Sequence, residues 1–248
     1  MAQSSTPAAT RLDQALVRRA LVSSRSQAES YIKLGVVSVN GKVVLKPGRP
    51  VDEKDDIRID AVTQYVSRAA LKLASVTQAL SIDFQAKTVL DIGSSTGGFT
   101  QFALLNGATR VIAVDVGSDQ LHPSLRNDVR IELHEKTDIR GFDTDAHIDI
   151  VLADVSFISL RHILPAIDRL LDTDTVLVTM VKPQFEAEGS GVKHKGVIKN
   201  KAIRRKILHD FEDWAAKRYV ILNKADSTVA GSKGNVERFY LLKRLSRT

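Results

Sequence analysis

Two sets of residues in this chain have the types and spacing to do chemistry. The first is the stretch Val89-Leu-Asp-Ile-Gly-Ser-Ser-Thr-Gly-Gly-Phe99, followed 22 residues beyond Gly93 by the acid that ends Arg110-Val-Ile-Ala-Val-Asp115. An apolar run from Thr88 to Ile92 is broken by glycines into a turn, and a segment of helical character follows. Glycines in such a turn let the backbone approach a ligand, and an acid ending the next strand receives ribose hydroxyls. The spacing is not the one that holds a dinucleotide pyrophosphate. Counted from Gly93 it is G-x-S-x-x-G, with Ser95 where the second glycine would stand, and Asp91 precedes the turn. A carboxylate there suits a cofactor with an amino group and a sulfonium charge better than one with phosphates. The second set is four charged residues on otherwise apolar segments. They are Lys72 in Tyr65-Val-Ser-Arg-Ala-Ala-Leu-Lys-Leu73, Asp154 in Ala153-Asp-Val-Ser-Phe157, Lys182 in Met180-Val-Lys-Pro-Gln184 and Glu237 in Gly234-Asn-Val-Glu-Arg-Phe239. Any one alone could be a helix cap or a solvated charge. Charges at the ends of two adjacent apolar strands are instead candidates for positioning a substrate and moving a proton.

The elements that must hold these residues alternate in type. The pattern predicts a helix over Ala69–Leu80 and strands over Thr88–Ile92, Arg110–Asp115, Val129–Leu133, Ile148–Asp154 and Thr175–Val181. Helices fall near Phe99–Leu105, Leu121–Arg126 and Ser159–Leu171. A helix over Lys201–Lys217 precedes two last strands, Tyr219–Ala225 and Arg238–Leu242. Strands alternating with helices predict an α/β fold with a doubly wound parallel sheet, which gathers ligands at its strand C-terminal ends.

A smaller α+β unit is predicted over residues 11–60. Its helices run Arg11–Arg19 and Ser26–Leu34, with Ser24 or Ser26 as cap of the second. Gly35-Val-Val-Ser-Val-Asn-Gly41 alternates apolar and polar residues and closes on Asn40-Gly41, a hairpin signal. Val43–Leu45 is the return strand, and Asp56–Ile59 another short one. Residues 1–10 are expected to be a disordered lead-in, 61–66 a linker and 67–248 the larger domain.

At 248 residues and 43% hydrophobic content, the chain can hold one α/β domain with a small appendage. It has no apolar run of membrane-spanning length, and Met1–Thr10 lacks the apolar segment of a signal peptide, so a cytoplasmic protein is expected. Cysteine is absent. That removes disulfides and thiolate metal sites, and it excludes methylation of a pyrimidine C5 by thiolate addition. No metal site and no obligate protein partner are expected. The net charge of +7 is concentrated. Residues 1–50 hold eight Lys and Arg against Asp13 and Glu29, and residues 193–206 hold seven with no acid. Two such patches suit a polyanion partner.

Three resemblances follow. The turn from Asp91 to Phe99 resembles the S-adenosylmethionine site of class I (Rossmann-like) methyltransferases. Arg11-Leu-Asp13, Leu16, Ser24-Arg25, Ala28, Ile32, Gly35, Val37 and Val39-Asn-Gly41 resemble the S4-type RNA-binding domain. Lys72, Asp154, Lys182 and Glu237 resemble the Lys-Asp-Lys-Glu tetrad of FtsJ-like ribose 2′-O-methyltransferases. With the S4-type unit, the chain after Thr10 is similar to the TlyA family, historically named hemolysins and acting as ribosomal RNA 2′-O-methyltransferases. One departure is Ala69-Ala70, where that family often has glycine and the leading helix must come close.

The resemblance implies roles. S-adenosylmethionine would be held by Asp91, Gly93, Ser94, Ser95, Thr96, Gly97, Gly98 and Phe99, with Asp115 on the ribose and Asp138 at the adenine edge. Lys182 would be the base or hydroxyl-orienting group, Asp154 would orient its amine, and Lys72 and Glu237 would place the ribose. Ribosomal RNA or a ribosomal subunit would meet Arg11, Arg18, Arg19, Arg25 and Lys33 of the small unit, and Lys193, Lys195, Lys199, Arg204 and Arg205. The expected target is a cytidine of large-subunit rRNA; the small subunit stays open, although the compact ends lean against it. Competing classes are an exocyclic-amine methyltransferase, which Asp154-Val-Ser-Phe157 faintly imitates without its prolines, and a non-catalytic ribosome-assembly factor. A pore-forming hemolysin has no sequence feature in its favour.

Overall fold

The computed structural model describes residues 10–22, 25–33, 35–59, 65–190, 196–229, 231 and 234–245. The chain divides into two compact units, Met1–Gln64 and Tyr65–Thr248.

The first unit runs β1 (Thr10–Arg11), α1 (Leu12–Arg18), α2 (Arg25–Lys33), β2 (Val37–Val39), β3 (Lys42–Val43), β4 (Pro50–Val51) and β5 (Ile57–Ile59). Thr10, expected in the lead-in, is instead paired with Val51. Residues 1–9, the candidate cap Ser24 and residues 61–64 lie outside the described residues, and Ser26 falls inside α2. The Asn-Gly hairpin forms as expected, with φ of +53° at Asn40 and +74° at Gly41, the left-handed pair that a tight strand return needs. The return strand starts one residue earlier than the pattern suggests and is only two residues long. Leu12, Ala15, Leu16, Ala28, Tyr31 and Ile32 of the two helices are buried with Val37 and Val39.

The second unit is a sheet between two helical layers. It runs α3 (Arg68–Leu80), β6 (Thr88–Ile92), α4 (Gly98–Leu105), β7 (Arg110–Val114), β8 (Ile131–His134), β9 (Ile150–Ala153), α5 (Leu160–Ile167), β10 (Val176–Val181), α6 (Pro183–Glu186), α7 (Lys201–Ala215), β11 (Tyr219–Asp226) and β12 (Arg238–Arg244). The strand order is β11-β12-β10-β9-β6-β7-β8. Neighbours from β10 to β8 pair in parallel, and β12 is antiparallel to both β10 and β11. Alternate strand residues face opposite layers. Val89 packs with Leu73, Val76 and Leu80 of α3 and Phe102 of α4. Leu90 and Ile92 pack with Ile163, Leu164 and Ile167 of α5 and Phe211 of α7. This is the expected doubly wound class I sheet, with its reversed strand near one edge.

One expected helix is missing. Over Leu121–Arg126 the chain makes only a single 3-10 turn at Pro123–Leu125. The Glu135 carboxylate accepts the backbone N–H groups of Asp119, Gln120 and Leu121, which takes the donors a helix start would use. The strand predicted at Val129 begins at Ile131, leaving Val129 exposed.

Candidate active site

Strand register brings the chemistry together. The β10–β12 ladder ends on Val181 opposite Arg238, so the next rung carries Lys182 and Glu237. Asp154 donates its backbone N–H to Ile92 O, which sets it beside Gly93 where the turn begins. The α3 helix, capped by Ser67 accepting from Ala69 N–H, brings Lys72 in from one face.

The four charged residues form two ion pairs. Lys72 Nζ donates to Glu237 Oε1 at 3.1 Å, and both side chains are almost buried. Lys182 Nζ lies 2.5 Å from Asp154 Oδ1. That contact is misaligned for a hydrogen bond, and the amine instead donates to Ser156 Oγ at 2.7 Å. A chamber of about 260 Å³ opens between Lys72 and Asp154, walled also by Arg68, Ser95, Thr96 and Ser156.

A larger cavity of about 460 Å³ adjoins the turn, within the usual range for a small-molecule site. Gly93 and Ser95 border both cavities; Ser94, Thr96 and Phe99 border only the smaller, Asp115 and Asp138 only the larger. Asp91, Gly97 and Gly98 border neither. The turn is built for close approach. A Cβ on Gly93, which has φ of +78°, would stand 2.6 Å from the Asp154 carbonyl oxygen. Asp115 spans the entrance, accepting from Ser95 N–H at 2.8 Å and from Gly117 N–H at 2.7 Å. Asp91 is wholly buried; Thr100 Oγ1 donates to its Oδ2 at 2.6 Å, while Oδ1 has no hydrogen-bond partner among the described residues. Burial pushes this carboxyl up to about 7. Asp138 is pulled down to about 2 by hydrogen bonds from the Arg140 guanidinium and backbone. A glycine cradle that borders both cavities and an acid ending the next strand fit S-adenosylmethionine.

The basic residues expected at RNA divide into two kinds. Arg11 and Arg25 both donate to the buried Asp13, at 3.0 and 2.8 Å. Burial by itself would raise the Asp13 carboxyl, yet these hydrogen bonds hold it below its usual range. Arg19 donates to the carbonyls of Asp52 and Asp55. These three guanidiniums are committed to the small unit itself, while Arg18 and Lys33 are exposed. In the second unit Arg204 is committed to Asp226 and to the Val236 carbonyl, and Lys199 and Arg205 are exposed. Lys193 and Lys195 lie outside the described residues.

Four residues at the site were not assigned a role from sequence. Ser156 takes the Lys182 hydrogen bond. Phe157 is 92% exposed beside Asp154, with φ of +67°. Glu186 is buried between two of the site's loops. Asn235 is buried, accepting from Ile198 N–H and donating to Gly196 O, and so fastens the segment before α7 to the loop before Glu237. All but Ser156 and Phe157 sit where only burial reveals them.

Residues 65–244 match the FtsJ-like methyltransferase family and residues 10–57 the S4 domain. The chain is 44% identical over 75% of its length, and 74% of the relative's, to the 23S rRNA (cytidine-2′-O)-methyltransferase TlyA of Campylobacter jejuni. It is 38% identical over 94% of its length, and 89% of the relative's, to the 16S/23S rRNA (cytidine-2′-O)-methyltransferase TlyA of Mycobacterium tuberculosis. A solved structure from Streptococcus thermophilus, provisionally described as a hemolysin, superposes with a TM-score of 0.69 at 32% identity, covering 97% of this chain and 90% of that one. Among the described residues, no helix is long and apolar enough to cross a membrane. With a glycine turn shaped for S-adenosylmethionine, a paired Lys-Asp-Lys-Glu tetrad and an S4 unit ahead of them, the chain belongs to the TlyA family of FtsJ-like rRNA 2′-O-methyltransferases.

Proposed function

We propose that the protein methylates the ribose 2′-hydroxyl of a cytidine in large-subunit ribosomal RNA. The observation that carries this is the pair of ion pairs, Lys72–Glu237 and Lys182–Asp154, at a chamber that shares Gly93 and Ser95 with the cofactor cavity. A ribose hydroxyl is a poor nucleophile, so the site must orient it and help its proton leave. Lys182 is the group assigned to that proton, with Asp154 and Ser156 fixing its amine. Lys72, held by Glu237, lines the chamber with Asp154 and Ser156 and positions the ribose. When bound, S-adenosylmethionine supplies an electrophilic methyl group on a sulfonium. Gly93, Ser94, Ser95 and Thr96 would hold its amino-acid end, and Asp115 its ribose. Asp138, paired with Arg140 where both line the larger cavity, is the candidate for the adenine edge.

Phe157 offers a bare aromatic face beside Asp154, suited to stacking a base turned out of its helix. Cytidine and the large subunit are common to the two TlyA relatives, a 23S and a 16S/23S rRNA (cytidine-2′-O)-methyltransferase. Phosphates would meet Arg18 and Lys33 of the S4 unit and Lys199 and Arg205 of the larger one. Such a substrate places the enzyme with ribosomes in the cytoplasm.

The deciding experiment is Lys182→Ala with rRNA as substrate. Loss of general acid–base help is worth about 10²–10⁴ in rate. Turnover should fall by that order while S-adenosylmethionine and rRNA still bind. The wild-type product should be a 2′-O-methylated nucleotide that resists alkaline cleavage. A methyl group on the cytosine ring, or wild-type turnover in Lys182→Ala, would overturn the reading.

A further inference from the structure

Glu186 is buried, 1% exposed, and takes no part in the chemistry above. It closes the short helix α6, which starts immediately after Lys182. Its carboxylate reaches across to the other strand-end loop. Ser159 Oγ donates to Oε2 at 2.6 Å and Leu160 N–H to Oε1 at 2.8 Å, and Arg161 Nε lies 3.6 Å away. Ser159 is the N-cap of α5, two residues beyond Phe157. The same turn of α6 brings Phe185 against Phe157, ring centroids 5.4 Å apart, and beneath the Lys182 amine.

Phe157 holds a left-handed backbone conformation that a bulky residue enters only under strain. Such strain, of order 1–3 kcal/mol, persists only where the surroundings over-determine it. On one side of Phe157 the chain is fixed by Asp154 in the sheet. On the other it is fixed at Ser159 and Leu160, and the group fixing it there is Glu186. Burial costs this carboxylate its solvation and pushes its proton affinity up, which Ser159, Leu160 and Arg161 oppose. The two hydrogen bonds it accepts across the loops are what hold a carboxylate in so buried a place.

We propose that Glu186 is a positioning residue for methyl transfer, a strut that fixes the Phe157 loop relative to Lys182. The inference rests on the reading of Lys182 and Phe157 as substrate-facing. A misplacement of about 1 Å in such a site can cost about 10²-fold in rate.

The test is steady-state methylation of rRNA by Glu186→Ala, Glu186→Gln, Phe157→Ala and the double variant Phe157→Ala/Glu186→Ala. Glu186→Ala should lower kcat about 10²-fold while still unfolding cooperatively. Glu186→Gln, whose carbonyl oxygen can still accept from Leu160 N–H, should recover most of that loss. The double variant should be no slower than Phe157→Ala alone, because the strut acts through the loop. Wild-type kcat in Glu186→Ala, losses that add in full, or no recovery by glutamine would each overturn the strut. Should Glu186→Ala not fold, Ser159→Ala, which cuts the strut from its other end, takes its place in the cycle. The wild-type product is analysed alongside. A base-methylated product would reject the ribose reading, whereas additive losses on a ribose-methylated product would reject only the role of Glu186.

Discussion

Asp91 precedes the glycine turn with its carboxyl pushed up to about 7 by burial, and Thr100 donates to it. An unfolded Asp titrates near 3.8, so the folded state holds an extra proton between the two values. Stability of the cofactor-free protein should therefore fall as pH rises from about 4 to about 7 and level off above. The full effect is on the order of 4 kcal/mol. Asp91→Asn removes it. Denaturant unfolding at pH 5 and pH 8 should show the asparagine variant gaining on wild type at the higher pH, and an unchanged gap would contradict the assignment. At this scale the sequence was informative about identity and silent about commitment. Lys72, Asp154, Lys182 and Glu237 were readable because each charge interrupts or ends an apolar run. Arg11, Arg19 and Arg25 looked the same in sequence as Arg18, and only the fold shows Asp13 and a set of carbonyls absorbing them. Phe157 was legible as the aromatic that ends the imitated Asp154-Val-Ser-Phe157 motif, but its backbone angle and the buried contacts of Glu186 appear only in the fold.

Between elements, the contact that matters most for Lys72 is α3 on α4. Where the family often has glycine on the leading helix, this chain has Ala69 and Ala70, and the room comes from the other side. A Cβ on Gly98 would stand 2.2 Å from Ser67 Oγ, 3.0 Å from Ala70 N and 3.1 Å from Ala69 Cβ. Gly98→Ala should push α3 away from the turn and carry Lys72 from its place. Overpacking of this kind costs about 1–3 kcal/mol. Unfolding should show a destabilisation of that size, and kcat should fall more than the cofactor affinity does; a variant with wild-type kcat would show that α3 has slack. Elements bounded by turn signals were the most legible. Thr88–Ile92 matches the pattern residue for residue, since an apolar run ends there on glycine. The segment over Leu121–Arg126 was misread because its helical pattern says nothing of Glu135, which lies beyond it and binds its amides.

For the whole molecule, two compact units with separate cores divide the labour. A protein of residues 65–248 should keep its S-adenosylmethionine affinity and lose most of its rRNA affinity. Binding of the full chain should weaken steeply with salt, as phosphate contacts release counterions, with a shallower slope for the shortened one. Undiminished rRNA methylation by residues 65–248 would remove the S4 unit from recognition. The strand order has a consequence for how the enzyme comes into being. Because β12 lies between β10 and β11, the sheet cannot be laid down in the order in which a ribosome delivers it. Until β12 emerges, β10 has an open edge of the kind that invites wrong pairing, and Lys72 has no carboxylate to meet. Every residue that borders the cofactor cavity has by then been made. On the roles proposed above, a chain stopped short of Glu237 would hold the means to bind a cofactor without the means to use it, and methylation would wait on the strand that is inserted last.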